Sequence, residues 1–117
     1  MSRDWRLFVN DILQSCQKAR RYTTGMTQQE FLADDMTSDA VLRNLEIIGE
    51  AAKHVPADVR QAIPQIDWTK VGGMRNWLAH AYFGLDVDIV WDVIENKLPE
   101  LEQAVQAYVD ELPGEQE

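Results

Sequence analysis

Apolar residues recur at three- and four-residue steps along nearly the whole of this chain, and no stretch alternates with the period of two that a half-buried strand requires. The clearest run is Trp5, Phe8, Val9, Ile12, Leu13, Cys16 and Ala19, which predicts a helix from about Asp4 to Thr23 with Gly25 as its stop. Thr27-Gln28-Gln29-Glu30 has the capping-box pattern ahead of Phe31 and Leu32, so a short second helix begins there. Asp34, Asp35, Thr37 and Ser38 offer several N-caps for a longer helix from about Ser38 to His54, with Val41, Leu42, Leu45, Ile48 and Ala52 inward and Pro56 beyond its end. His54, beside that stop, is placed to interact with the last carbonyls.

After another turn or two between Pro56 and Ile63, Pro64 to Asp67 reads as a breaker followed by an N-cap. Asp67 then opens a helix that runs through Gly72-Gly73 and closes at Gly84. Each glycine inside it costs roughly 1 kcal/mol against alanine, which points to a notch where another backbone or a ligand approaches. Asp86 caps the last helical stretch, whose stripe of Val90, Ile94, Leu98, Leu101, Val105, Tyr108 and Leu112 passes through Pro99. An interior proline removes a hydrogen bond and crowds the preceding turn, so a kink or two abutting helices is expected near Leu98. The fold class that follows is all-α, an up-and-down bundle of four to five helices. One helical domain over residues 1–112 accommodates it, with residues 113–117 a frayed acidic tail.

The formal net charge of -9 would ordinarily argue against a nucleic-acid partner. Its distribution changes that argument. Residues 1–80 carry ten Lys or Arg and ten Asp or Glu, whereas residues 81–117 carry ten acids and only Lys97. The acidity therefore belongs to the last third, and local basic patches remain open to RNA; Lys18, Arg20 and Arg21 form the densest, with a solvated helix end as their other reading. No apolar run approaches the roughly 20 residues that span a bilayer, and the first residues lack a signal-peptide core. A cytoplasmic protein without membrane contact is expected. Cys16 is the sole cysteine and reads as a small buried thiol.

The richest chemistry lies in Met74-Arg75-Asn76-Trp77-Leu78-Ala79-His80-Ala81-Tyr82. At about 100° per residue, Arg75, Asn76, Ala79, His80, Tyr82 and Phe83 share one arc, while Val71, Gly73, Met74, Trp77, Leu78 and Ala81 form the opposite, buried stripe. One face thus presents guanidinium, carboxamide, imidazole and phenol together. No His-Glu-x-x-His, no paired cysteines and no strand-borne glycine loop is present, so neither a metal centre nor a bound nucleotide cofactor is expected.

Arg75 through Tyr82 matches the R-x4-H-x-Y motif, with asparagine after the arginine, of HepT-like toxins in the HEPN ribonuclease superfamily. The context is similar too: Asp39 to Ala51 resembles that family's second block, and Ile63-Pro64 through Trp68, Gly73-Met74 and Asp86 to Leu98 follow in the family's order. The resemblance implies a HEPN-like helical homodimer with its active cleft between two copies of the motif helix, acting as a metal-independent endoribonuclease on RNA. It implies a toxin paired with an MntA-like nucleotidyltransferase antitoxin, alone as a homodimer or in a larger hetero-oligomer, and silenced by adenylylation of Tyr82. Carried over by position, Arg75 and His80 are the catalytic pair and Asn76 their support.

Elementary chemistry is compatible with that assignment. RNA is cut without metal when a base activates the ribose 2'-hydroxyl, an acid protonates the leaving 5'-oxygen and a cation stabilises the phosphorane. Arg75 suits the third task through bidentate contact with phosphate. One motif histidine per chain leaves acid and base to be shared, and a two-fold dimer would supply two copies of His80. Asn76 and His80 stand four residues apart, where one can orient the other. Arg75 and His80 diverge by about 140° on a straight helix, which favours their meeting one phosphate across a groove between subunits. Two other readings use the same surface: a catalytically silent helical adaptor that binds and is modified by a nucleotidyltransferase, and a plain dimer interface.

Overall fold

A computed structural model describes residues 4–83 and 87–112, with the side chains of residues 79–83 outside the description. The described residues are all-α, without a strand. Helix α1 spans Trp5–Tyr22 and is capped by Asp4, whose carboxylate accepts from the Arg6 amide at 2.9 Å. It buries Val9, Ile12, Leu13, Cys16 and Ala19. Beyond it, Gly25 takes a φ of 79°, a left-handed conformation that costs glycine little.

Helix α2 (Gln28–Ala33) begins with both bonds of the capping box: the Thr27 hydroxyl accepts from the Glu30 amide at 3.1 Å, and the Thr27 amide donates to the Glu30 carboxylate at 2.9 Å. Thr27→Ala removes one of these and is expected to lower stability by about 1 kcal/mol. Denaturant unfolding measures this, and an unchanged midpoint would show that Phe31 packing alone holds α2.

Helix α3 (Asp35–Ala52) starts three residues before the expected Ser38. Asp34 takes the cap by accepting from the Thr37 amide at 3.0 Å, and that bond holds its carboxyl below the usual range. Ser38 is consequently inside the helix, buried, and donates to the Phe31 carbonyl at 2.6 Å. It ties α3 to α2. The other end also differs from expectation: α3 stops at Ala52, and the His54 imidazole stacks on Phe8 of α1 at 4.6 Å between centroids, with its Nε2 3.5 Å from the Glu50 carboxylate.

Helix α4 (Ala57–Ala62) is a connector. The helix expected to run unbroken from Asp67 to Gly84 is divided into α5 (Trp68–Gly72) and α6 (Met74–Phe83), with Gly73 between them. Asp67 caps α5 as expected, accepting from Lys70 at 3.1 Å. The break leaves the Lys70 carbonyl without the amide a continuous helix would supply, and the Trp77 indole donates to it at 3.0 Å. A side chain thus replaces a backbone bond, leaving Trp77 half-buried. Residues 74–83 lie on one helix, α6, whereas Val71 and Gly73, expected on its buried stripe, precede it. Gly84 and Asp86, the expected stop and cap, lie outside the described residues.

Helix α7 (Val87–Asp92) passes through a π-helical turn (Val93–Lys97) into α8 (Leu98–Asp110). The Leu98 amide reaches back to the Val93 carbonyl, and this wider turn accommodates Pro99, which has no amide and would crowd a regular turn. The abutting helices expected near Leu98 are therefore joined by one extra-wide turn.

Helix α3 is the hub of the structure. It packs on α1, α2, α5 and α6, and α8 closes the far side of α1. Ile12 and Cys16 of α1, Val41, Leu45 and Ile48 of α3, and Leu98 and Val105 of α8 are all essentially inaccessible. At α2, the Phe31 ring meets Trp91 of α7 at 5.4 Å. Burial pushes the Cys16 thiol up to about 12, with Glu102 adding to the shift, so it remains an unreactive neutral group near neutral pH. Among the described residues no helix is long and apolar enough to cross a membrane.

Candidate active site

Arg75 stands in the first turn of α6 and is exposed. It opens on a cleft of about 270 Å³ lined by Phe8 and Asp11 of α1, Arg43, Glu46, Ile47, Glu50 and Ala51 of α3, and Arg75 itself. The backbone at Arg75 comes close to α3 at Gly49. A Cβ on Gly49 would lie 3.2 Å from the Met74 Cβ, 3.3 Å from the Val71 carbonyl oxygen and 3.6 Å from the Arg75 amide nitrogen. The close approach expected at Gly72-Gly73 therefore occurs at Gly49: a Cβ on Gly72 would touch only Lys53 at 3.6 Å, and one on Gly73 would touch backbone oxygens of α5 at 3.4 Å and beyond.

Asn76 is exposed beside Arg75 on α6. His80 and Tyr82 lie on the α6 backbone, about 7.5 and 10.5 Å further along its axis at 1.5 Å per residue. Their side chains are among those outside the described set. Met74 and Leu78 are buried on the opposite face, as the helical plot requires.

The basic residues near the end of α1 are not gathered with Arg75. Asp11 lines the Arg75 cleft, and Lys18, Arg20 and Arg21 lie about 10 to 15 Å beyond it along α1. Arg20 is ion-paired with Glu102 of α8, and the Arg21 guanidinium sits 5.4 Å from the Tyr22 ring centre. Lys18 is exposed.

The cleft also contains residues the sequence reading did not single out. Arg43, Glu46 and Glu50 recur at helical spacing on the side of α3 that faces Arg75 and α1. Spacing alone does not say what these residues face. The ion pairs along this face are loose: Arg43 to Glu46 is 3.7 Å and Lys53 to Glu50 is 3.8 Å, all between exposed side chains. Such pairs stabilise little, so the groups can exchange partners with a ligand. A larger cavity of about 470 Å³ lies on the other side of α6, against Met74, Trp77, Ile89 and Leu101. It is predominantly apolar in its walls and lacks the convergent arginines of the first. Among the described residues, no group of three or more His, Cys, Asp or Glu is arranged to hold a metal ion.

The sequence of the whole chain bears directly on this site. The family model described as Ribonuclease HepT-like matches residues 12–108, a span that includes α6 and the α3 wall of the cleft and begins just after Phe8 and Asp11 of its α1 wall. A Methanocaldococcus jannaschii protein named provisionally as an RNase is 38% identical over 115 residues, covering 98% of this chain and 95% of its own. A Thermococcus cleftensis protein named "Probable ribonuclease HepT" is 38% identical over 101 residues, covering 86% of this chain and 92% of its own. A further relative named provisionally as an RNase, from Caldanaerobacter subterraneus subsp. tengcongensis, is 37% identical over 101 residues, with 86% and 90% covered. No solved structure matches the chain. With the family model and these near full-length relatives in agreement, the chain belongs to the HepT-like ribonuclease family.

Proposed function

We propose that this protein is the toxin of a toxin-antitoxin pair, a metal-independent endoribonuclease working as a homodimer. The observation that carries the reading is the opening of Arg75, on the motif helix, into a charged cleft between α1 and α3. In the reaction, one His80 takes the proton from a ribose 2'-hydroxyl as its oxygen attacks the adjacent phosphorus. The bond to the 5'-oxygen breaks, and that oxygen receives a proton from the second subunit's copy of the same histidine. Arg75 stabilises the added charge on the phosphorane, and Asn76 orients the imidazole from one turn away. A 2',3'-cyclic phosphate and a free 5'-hydroxyl result.

An MntA-like nucleotidyltransferase would silence the enzyme at Tyr82. The phenolic oxygen bonds to the α-phosphorus of ATP, pyrophosphate leaves and the phenolic proton passes to solvent. The new phosphodiester adds negative charge and bulk on the motif helix, where RNA must bind.

Purified protein incubated with RNA and a chelator is expected to cleave it, and protein coexpressed with the antitoxin is expected to be inactive and to carry one adenylyl group on Tyr82. Tyr82→Phe should escape the silencing. Absence of cleavage by unmodified protein, together with modification of Tyr82, would favour the silent adaptor; cleavage without any modification of Tyr82 would sink the proposed regulation.

A further inference from the structure

We propose that the cleft under Arg75 is a two-phosphate RNA subsite, in which Arg43 of α3 holds a second phosphate of the strand whose scissile phosphate Arg75 engages. This rests on the ribonuclease reading above and assigns a substrate-positioning residue to it. Arg43 lines the same cleft as Arg75 but belongs to a different helix. Its side chain is 72% exposed, and its 3.7 Å pair with Glu46 is much longer than the 2.7–2.9 Å of a strong charge-assisted hydrogen bond. A phosphate can therefore replace that partner at small cost, and a guanidinium matches phosphate oxygens in a fork.

The two arginines are held in register by the backbone. The Arg75 amide nitrogen lies beside Gly49, which is six residues beyond Arg43, about 9 Å along α3. Both side chains thus project from packed helices rather than from loops. The remaining charges restrict where a strand can lie: Asp11, Glu46 and Glu50 also line the cleft, and carboxylates disfavour phosphate nearby, which leaves the guanidiniums as the favoured points of contact. A uniformly basic groove would bind anions without register. This lining selects two points on the backbone, which suits positioning better than affinity.

The test is the salt dependence of binding to a single-stranded RNA whose 2'-hydroxyls are methylated, so that it binds without being cut. Each phosphate contact contributes about 0.7 to the slope of log K against log salt concentration. Arg43→Ala is expected to lower the slope by at least about 0.7, whereas Lys97→Ala, which removes the same charge from the π-helical turn, leaves it unchanged. On cleavable RNA, Arg43→Ala should raise KM with kcat largely retained, and Arg43→Lys should recover part of the loss. An unchanged slope in Arg43→Ala, or an equal fall in Lys97→Ala, overturns the subsite while leaving the ribonuclease reading intact. An unchanged RNA slope with a weakened antitoxin complex overturns it in favour of protein docking. If the unmutated protein neither binds nor cuts RNA, the ribonuclease reading fails and the subsite with it.

Discussion

Alanine at His80 is expected to slow RNA cleavage by about 100- to 10,000-fold, the contribution typical of a positioned general acid or base, with the unfolding midpoint little changed. The reason for the large effect is the supply of proton-transfer groups. His54, the other histidine, stands two residues beyond the end of α3 with its ring stacked on Phe8 and its Nε2 toward Glu50, and it lies off the motif helix. Under the proposed reaction His80 acts as both acid and base, with one copy from each of two subunits.

That requirement can be tested separately from the loss itself. In an equal mixture of subunits refolded together, a groove needing two intact histidines keeps only the fully wild-type dimers, about a quarter of the total for random pairing. Sites that work independently would retain about half. An activity near one half would remove the shared groove and leave each subunit with a complete site; cleavage by His80→Ala at the original rate would remove this residue from the chemistry altogether. Arg75→Lys offers a second reading of the same groove, because a lysine keeps the charge but loses the bidentate fork.

The parts of the fold legible in the sequence are those settled by neighbours in the chain. The Thr27–Glu30 capping box and the Asp67 cap each depend on bonds spanning three residues. The stripe of α1 repeats so regularly that its core residues could be named in advance. What was illegible depended on a choice between partners. Four residues were able to cap α3, and the choice fell to Asp34 because Ser38 gains a buried bond to the Phe31 carbonyl. The break at Gly73 requires the Trp77 indole to satisfy the Lys70 carbonyl, a pairing that no hydrophobic period signals.

The candidate site divides in the same way. Helical spacing placed Arg75, Asn76, His80 and Tyr82 on one arc, and the resemblance gave them roles. The wall opposite Arg75 was not legible, since nothing in the spacing of Arg43, Glu46 and Glu50 says which helices they meet. Glycine was informative, but the wrong glycine was conspicuous. Gly72-Gly73 stands out as a pair, whereas Gly49 is a single residue in a strong helix, and only the distances to Val71, Met74 and Arg75 reveal its function.

Gly49→Leu is expected to lower stability by about 1–3 kcal/mol, the usual cost of overpacking, and to impair cleavage beyond what partial unfolding explains. The neighbours that its side chain would meet include the Val71 carbonyl oxygen and the Arg75 amide nitrogen, which cannot rotate aside as a flexible side-chain end can. Relief therefore requires α6 to move away from α3. Such a movement carries Arg75 with it and widens the cleft shared with Arg43, and a displacement near 1 Å can cost about 100-fold in rate. Gly49→Ala separates the two contributions: its Cβ asks the Met74 Cβ and the Val71 carbonyl oxygen each to yield a few tenths of an ångström, while alanine returns roughly 1 kcal/mol of helix propensity, so it should cost less stability than leucine and displace α6 less. Unfolding in urea and cleavage at a temperature where each variant is fully folded supply the measurements. If leucine leaves the unfolding midpoint unchanged, α3 and α6 are not held together at Gly49. If it destabilises the fold without further loss of cleavage in the folded protein, the contact supports the helices but does not set the position of Arg75.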